Sequence, residues 1–194
     1  MQKPKLRLCA ALAALIVGCV PLSSWSQQQT SGSAGGHSAG LQFGQVWPAG
    51  VIGQGVDGSI APGVFYEFAA SQIFAMQVNL LRSSHNDKLS IFSGTAGIRA
   101  NLTFFDRLVP YAAAGVGLYF VDRKMDPPIR NVKTTNFGLN LGLGADLDLS
   151  DQFFMGLWLG LHNLFAAKTM TPAGIEQENS GRWSALFIRA GMRF

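Results

Sequence analysis

From residue 39 to its end the chain alternates between apolar and polar or small side chains. Between Thr134 and Leu149, one parity holds Phe137, Leu139, Leu141, Leu143, Ala145, Leu147 and Leu149. The other holds Asn136, Gly138, Asn140, Gly142, Gly144, Asp146 and Asp148. The next segment repeats this, with Phe153, Met155, Leu157, Leu159 and Leu161 against Gln152, Gly156, Gly160 and His162. The last segment sets Leu186, Ile188, Ala190, Met192 and Phe194 against Trp183, Phe187, Arg189, Gly191 and Arg193. Successive side chains of a strand point to opposite faces, so strict period-2 alternation over such lengths predicts strands, not helices. Eight strands are expected, at 39–47, 60–68, 72–82, 89–103, 107–121, 134–149, 152–166 and 182–194. Most are near the roughly 9–11 residues of a tilted membrane strand.

The connections alternate as well. Those at 69–71, 104–106 and 150–151 are tight, whereas 48–59, 83–88, 122–133 and 168–181 are longer and more polar. Short turns at one end and long loops at the other predict an up-and-down membrane barrel. An even strand count puts both termini on the short-turn, periplasmic side. A soluble barrel of eight strands is the competing architecture, and polarity separates the two. Eight strands enclose just enough room for side chains. Leucine and phenylalanine at every second position are too bulky for that interior, while glycine fits it. The expected fold is therefore all-β, an eight-stranded antiparallel up-and-down transmembrane β-barrel with its apolar face in lipid. Trp47, Tyr66, Phe68, Phe104, Phe120, Phe153 and Phe165 lie near strand ends and suit an interfacial aromatic belt.

Composition agrees. Only 13% of residues are charged, about half the fraction of a soluble protein. The N-terminus carries Lys3, Lys5 and Arg7 before a short apolar run at 8–20. Ser24-Trp25-Ser26 then offers small residues at the −3 and −1 positions, an export-signal pattern. The expected organisation is a signal peptide at 1–26, a flexible Gln/Ser/Gly lead-in at 27–38 and the barrel at 39–194. Ile16-Val17-Gly18-Cys19 offers an alternative lipobox, with Cys19 lipidated. Cleavage after Ser26 would remove both cysteines, Cys9 and Cys19. It would also lower Lys+Arg from 15 to 12 against 11 acids, and the net charge from +4 to +1. No basic run then remains to suggest a nucleic-acid partner.

By parity, the lumen holds Glu67, Arg99, Asp146, Asp148, Arg189 and Arg193. Charges in a narrow interior are costly unless paired. They predict either a salt-bridge network that plugs the barrel or a polar path. Glycines crowd the same face, either for close packing or to leave room for a ligand beside Tyr111, Tyr119, Trp158, His162 and Phe187. No catalytic centre, metal site or cofactor is expected. His37, His85 and His162 show no metal-ligand spacing. Acyl hydrolysis would need a His and a Ser placed together. His162 is followed by Asn163 and Leu164, and Ser83-Ser84-His85 reads as a loop.

Pro110-Tyr111-Ala112-Ala113-Ala114-Gly115-Val116-Gly117-Leu118-Tyr119 resembles the Pro-Tyr…Gly-x-Gly strand of small outer-membrane barrels. Together with Asn136–Asp146 and the terminal Arg193-Phe194, it makes residues 39–194 similar to the eight-stranded outer-membrane barrel family, whose familiar members are OmpW-, OmpX- and OmpA-like. The apolar face ending in Met192 and Phe194 resembles that family's C-terminal assembly signal. The resemblance implies a Gram-negative outer membrane, with membrane lipid and the barrel-assembly machinery as partners. For the OmpW group it also implies passage of small hydrophobic molecules through a lateral opening, although no residue specific to that group is found. Two functions follow: a narrow conduit for small hydrophobic solutes, with loop 122–133 shaping its mouth, or a structural or surface-interaction barrel with a plugged lumen and partner-binding loops.

Overall fold

A computed structural model describes residues 35–86, 88–124, 132–170 and 176–194. Eight strands run β1 (His37–Ala49), β2 (Ser59–Ala69), β3 (Phe74–His85), β4 (Leu89–Asn101), β5 (Leu108–Arg123), β6 (Val132–Asp148), β7 (Phe153–Met170) and β8 (Glu176–Arg193). Each pairs antiparallel with its sequence neighbour, and β1 pairs with β8, so the sheet closes. Two backbone bonds finish the seam: His37 N–H to the Phe194 carbonyl at 3.0 Å, and Phe194 N–H to the His37 carbonyl at 2.9 Å. Closure gives the strand edges partners, which a spanning sheet requires because lipid offers the backbone no hydrogen bonds.

The faces follow the alternation. Leu41, Met76, Ile98, Leu141, Leu143 and Leu161 point outward, each at least 60% exposed. Gln42, Glu67, Gln77, Asn79, Arg99, Asn140, Asp146 and Arg189 point inward and are buried. This is the reverse of a soluble barrel, and it fits a molecule whose outer solvent is hydrocarbon.

Several strands run further at the long-loop end than the apolar pattern predicts. β3 continues through Ser83, Ser84 and His85, so the expected loop at 83–88 shrinks to a tight hairpin whose first residue, Asn86, has φ 44°. Those three residues are strand, not loop. Their inward positions are polar like their outward ones, so the alternation that marks the rest of β3 is invisible there. β7 and β8 likewise extend into the expected 168–181 loop. At the start, His37 and Ser38 lie in β1, opposite Phe68 and Glu67, not in the lead-in. A 3-10 turn, Val51–Gly53, interrupts the β1–β2 loop and buries Ile52 completely. In the 122–133 loop, residues 125–131 lie outside the described residues.

Candidate functional site: the barrel interior

Strands 2, 4, 6 and 8 each send one charged residue to a common level. Arg99 Nη1 lies 3.1 Å from Glu67 Oε1 and 2.6 Å from Asp146 Oδ2. Arg189 Nη2 lies 2.6 Å from Glu67 Oε1, and its Nε 3.7 Å from Asp146 Oδ1. Each base thus faces both acids in a closed four-membered ring. Aromatic rings complete it. The Arg99 guanidinium lies 3.6 Å over the Tyr111 ring, and Arg189 lies 3.9 Å over Phe65. Arg189 Nη1 also donates to the Tyr111 hydroxyl at 2.8 Å. All four charges are buried. Desolvating them is expensive, and only reciprocal pairing with charge-assisted bonds offsets that cost.

Asp148 and Arg193 form a separate pair at 2.6 Å, nearer the short-turn rim and partly exposed. Between this pair and the ring lies a cavity of about 310 Å³. Its lining includes Glu67, Arg99, Asp146, Phe154, Arg193 and Phe194. The ionic ring therefore forms part of the wall of this short-turn vestibule.

On the other side of the ring the lumen is aromatic. Trp158 packs on Phe187 and His162, each with centroids 5.7 Å away. His162 meets Trp183 at 4.7 Å, and Trp183 meets Tyr119 at 5.8 Å. The Tyr119 hydroxyl and His162 Nδ1 are hydrogen-bonded at 2.8 Å. Tyr111, Tyr119, Trp158, His162 and Phe187 are all nearly inaccessible. The five residues read as candidate ligand lining contact one another or the ionic ring. Trp183 belongs to this layer too. Its lumen parity was visible in the sequence, but a Trp near a strand end also suits an interfacial belt.

The glycines explain how so many rings fit. A Cβ on Gly142 or Gly160 would overlap the Trp158 indole; one on Gly144 would overlap Tyr111, one on Gly138 Tyr119, and one on Gly191 Phe154. The room left by these glycines is occupied by neighbouring aromatic side chains.

Among the described residues, the long-loop end is packed as well. Ile52 sits among buried Val46, Leu89, Ile91 and Val121. Arg123 donates to the Val51 and Gln54 carbonyls at 3.1 and 3.3 Å, tying β5 to the β1–β2 loop. His85 bonds through Nδ1 to the Asp57 carbonyl at 2.9 Å. Its Nε2 lies 3.2 Å from Ser83 Oγ and 3.3 Å from Ser59 Oγ. With Nδ1 donating, Nε2 accepts from the serines. A His and two Ser do meet here, but His85 and Ser83 are sealed from solvent, so the cluster acts as a latch between loop and strand. Among the described residues, no group of three or more His, Cys, Asp or Glu could hold a metal.

The profile of the outer membrane protein beta-barrel domain family matches residues 10–194. Among solved structures, Neisserial surface protein A superposes with a TM-score of 0.65 at 12% identity, covering 84% of this chain and 99% of that one. OprG of Pseudomonas aeruginosa superposes at 0.59 with 13% identity, covering 86% and 99%. The N-terminal barrel of OprF from the same organism also gives 0.59 at 13% identity, covering 83% and 98%. At these identities the likeness is one of fold. No curated protein matches in sequence.

Proposed function

The chain belongs to the outer membrane protein beta-barrel domain family, and from that premise we propose that it is a closed barrel whose working surface is its long-loop end. In this reading the short turns and both termini face the periplasm and the loops face outward. Membrane lipid surrounds the apolar belt, and the barrel-assembly machinery inserts the chain by way of the Met192 and Phe194 face. The observation that carries the reading is the filled interior: the Glu67, Arg99, Asp146 and Arg189 ring backed by the Trp158, Phe187, His162, Trp183 and Tyr119 layer. A conduit along the lumen would need a path past both, and opening one would break buried ion pairs; a lateral exit would need a gap in a wall whose neighbouring strands are all paired. The interior therefore favours a structural or surface-interaction role.

The test is uptake by liposomes containing the refolded protein. Neither a small apolar solute nor a small sugar should enter faster than into empty liposomes. Apolar uptake above that background would overturn the proposal in favour of a conduit.

A further inference from the structure

The outward face of the barrel is not uniform at its long-loop end. Across β3–β6 the register aligns Arg82, Phe92, Phe120 and Thr135 in one row. The next row toward the loops is Ser84, Ser90, Asp122 and Lys133, and the row below is Leu80, Gly94, Leu118 and Phe137. Read away from the membrane centre, the patch passes from aliphatic and aromatic, through aromatic and cationic, to hydroxylated and charged. Phe92 and Phe120 are neighbours at 6.1 Å and both lie open. A recess of about 530 Å³ lies against Arg82, Ser90, Phe92, Phe120, Asp122 and Lys133.

Both cations are exposed. Arg82 is exposed and has no carboxylate partner among the described residues. Lys133 lies 3.5 Å from Asp122 but is 79% exposed, so its ammonium keeps open donors. A cation on the lipid-facing wall is unfavourable unless its head reaches the interface, where it meets lipid headgroups. Anionic headgroups attract such residues, and aromatic side chains anchor at the same depth.

We propose that this patch binds a phosphorylated glycolipid of the outer leaflet, with Arg82 and Lys133 each taking a phosphate. Neighbouring strands are about 4.8 Å apart, so β3 and β6 stand roughly 14 Å from each other along the wall. That spacing suits a headgroup with a phosphate at each end better than a single phosphate held by both side chains. Arg82 can grip phosphate bidentately, while Lys133 acts as a point charge. Ser84, Ser90 and Thr135 add hydroxyl donors between them, Asp122 offsets part of the Lys133 charge and makes Arg82 the stronger of the two contacts, and Phe92 and Phe120 line the level where acyl chains begin. The inference rests on the outward placement of the long loops proposed above.

The experiment is native mass spectrometry of the protein purified from membranes, stripped of lipid in detergent and titrated with diphosphoryl lipid A. Arg82→Gln should weaken retention roughly fivefold, Lys133→Gln somewhat less, and the pair by more than tenfold. Arg182→Gln, an exposed outward cation on β8 away from the patch, should change it less than about twofold. Heat-modifiable gel mobility confirms that every variant is folded. Monophosphoryl lipid A should bind more weakly than the diphosphoryl form to the unmodified protein. Equal retention by the double variant and Arg182→Gln would overturn the site. Orientation is read separately, by labelling Gln54→Cys and Gln72→Cys in intact cells with an impermeant thiol reagent. Labelling at Gln54→Cys alone supports the proposal. Labelling at Gln72→Cys alone would place the patch in the inner leaflet and overturn the outer-leaflet assignment, even where lipid A binds in detergent.

Discussion

Gly142 and Gly160 face each other across β6 and β7, and the Trp158 indole lies against both. A methyl group on either position would overlap the ring, and the Phe187 and His162 rings packed on the indole give it little room to move. Gly160→Ala should therefore lower stability by about 1–3 kcal/mol, the usual cost of overpacking. The check is the denaturant midpoint of the refolded barrel in detergent. Trp158→Phe in the same chain should recover part of the loss, because the smaller ring vacates the position the methyl would occupy. Strictly additive losses would mean that the indole is not the obstacle. At this scale the sequence was informative about which positions were small and which were large, since parity alone assigns both to the lumen. It was silent on which glycine serves which ring, because that depends on side-chain direction across strands.

Among the elements, the long-loop end departs most from the pattern along the chain. The alternation that reveals a strand comes from lipid on one side and a polar lumen on the other. Where β3 rises to Ser83, Ser84 and His85, the outward contrast is lost but backbone pairing with β4 continues. His85 then becomes a buried tie, reaching the Asp57 carbonyl and the Ser59 and Ser83 hydroxyls. His85→Ala should free the β1–β2 loop. Limited proteolysis of the folded barrel should cut within residues 54–58 several-fold faster, while the unfolding free energy falls by only about 1–2 kcal/mol, the cost of unmade hydrogen bonds. Unchanged cleavage would show that buried Ile52 and Arg123, which holds the Val51 and Gln54 carbonyls, secure the loop without His85.

For the whole molecule, closure of the interior is layered, and the layers should fail separately. Arg99→Ala leaves Glu67 and Asp146 facing Arg189 alone, and breaking such a buried network should cost about 3–5 kcal/mol. Conductance in a planar bilayer should stay near the unmodified level, because the aromatic layer still blocks the lumen. Arg99→Ala with Trp158→Ala should open both layers and give measurable conductance; a silent double variant would place the block elsewhere. The sequence by itself determined the barrel, its strand count and which face of each strand meets lipid. Those features follow from local period-2 geometry and from a solvent that rejects polar side chains across the apolar belt of the wall. It also assigned Glu67, Arg99, Asp146, Asp148, Arg189 and Arg193 to the lumen, since parity needs no knowledge of neighbours. Only the tertiary structure decided that four of these close a ring while Asp148 and Arg193 pair apart, that the aromatic residues fill the space beside the glycines, and that His85 is buried. Each of those outcomes depends on register and closure, which bring together residues as distant in the chain as His37 and Phe194, and no local pattern records which partner a strand will set opposite a given side chain.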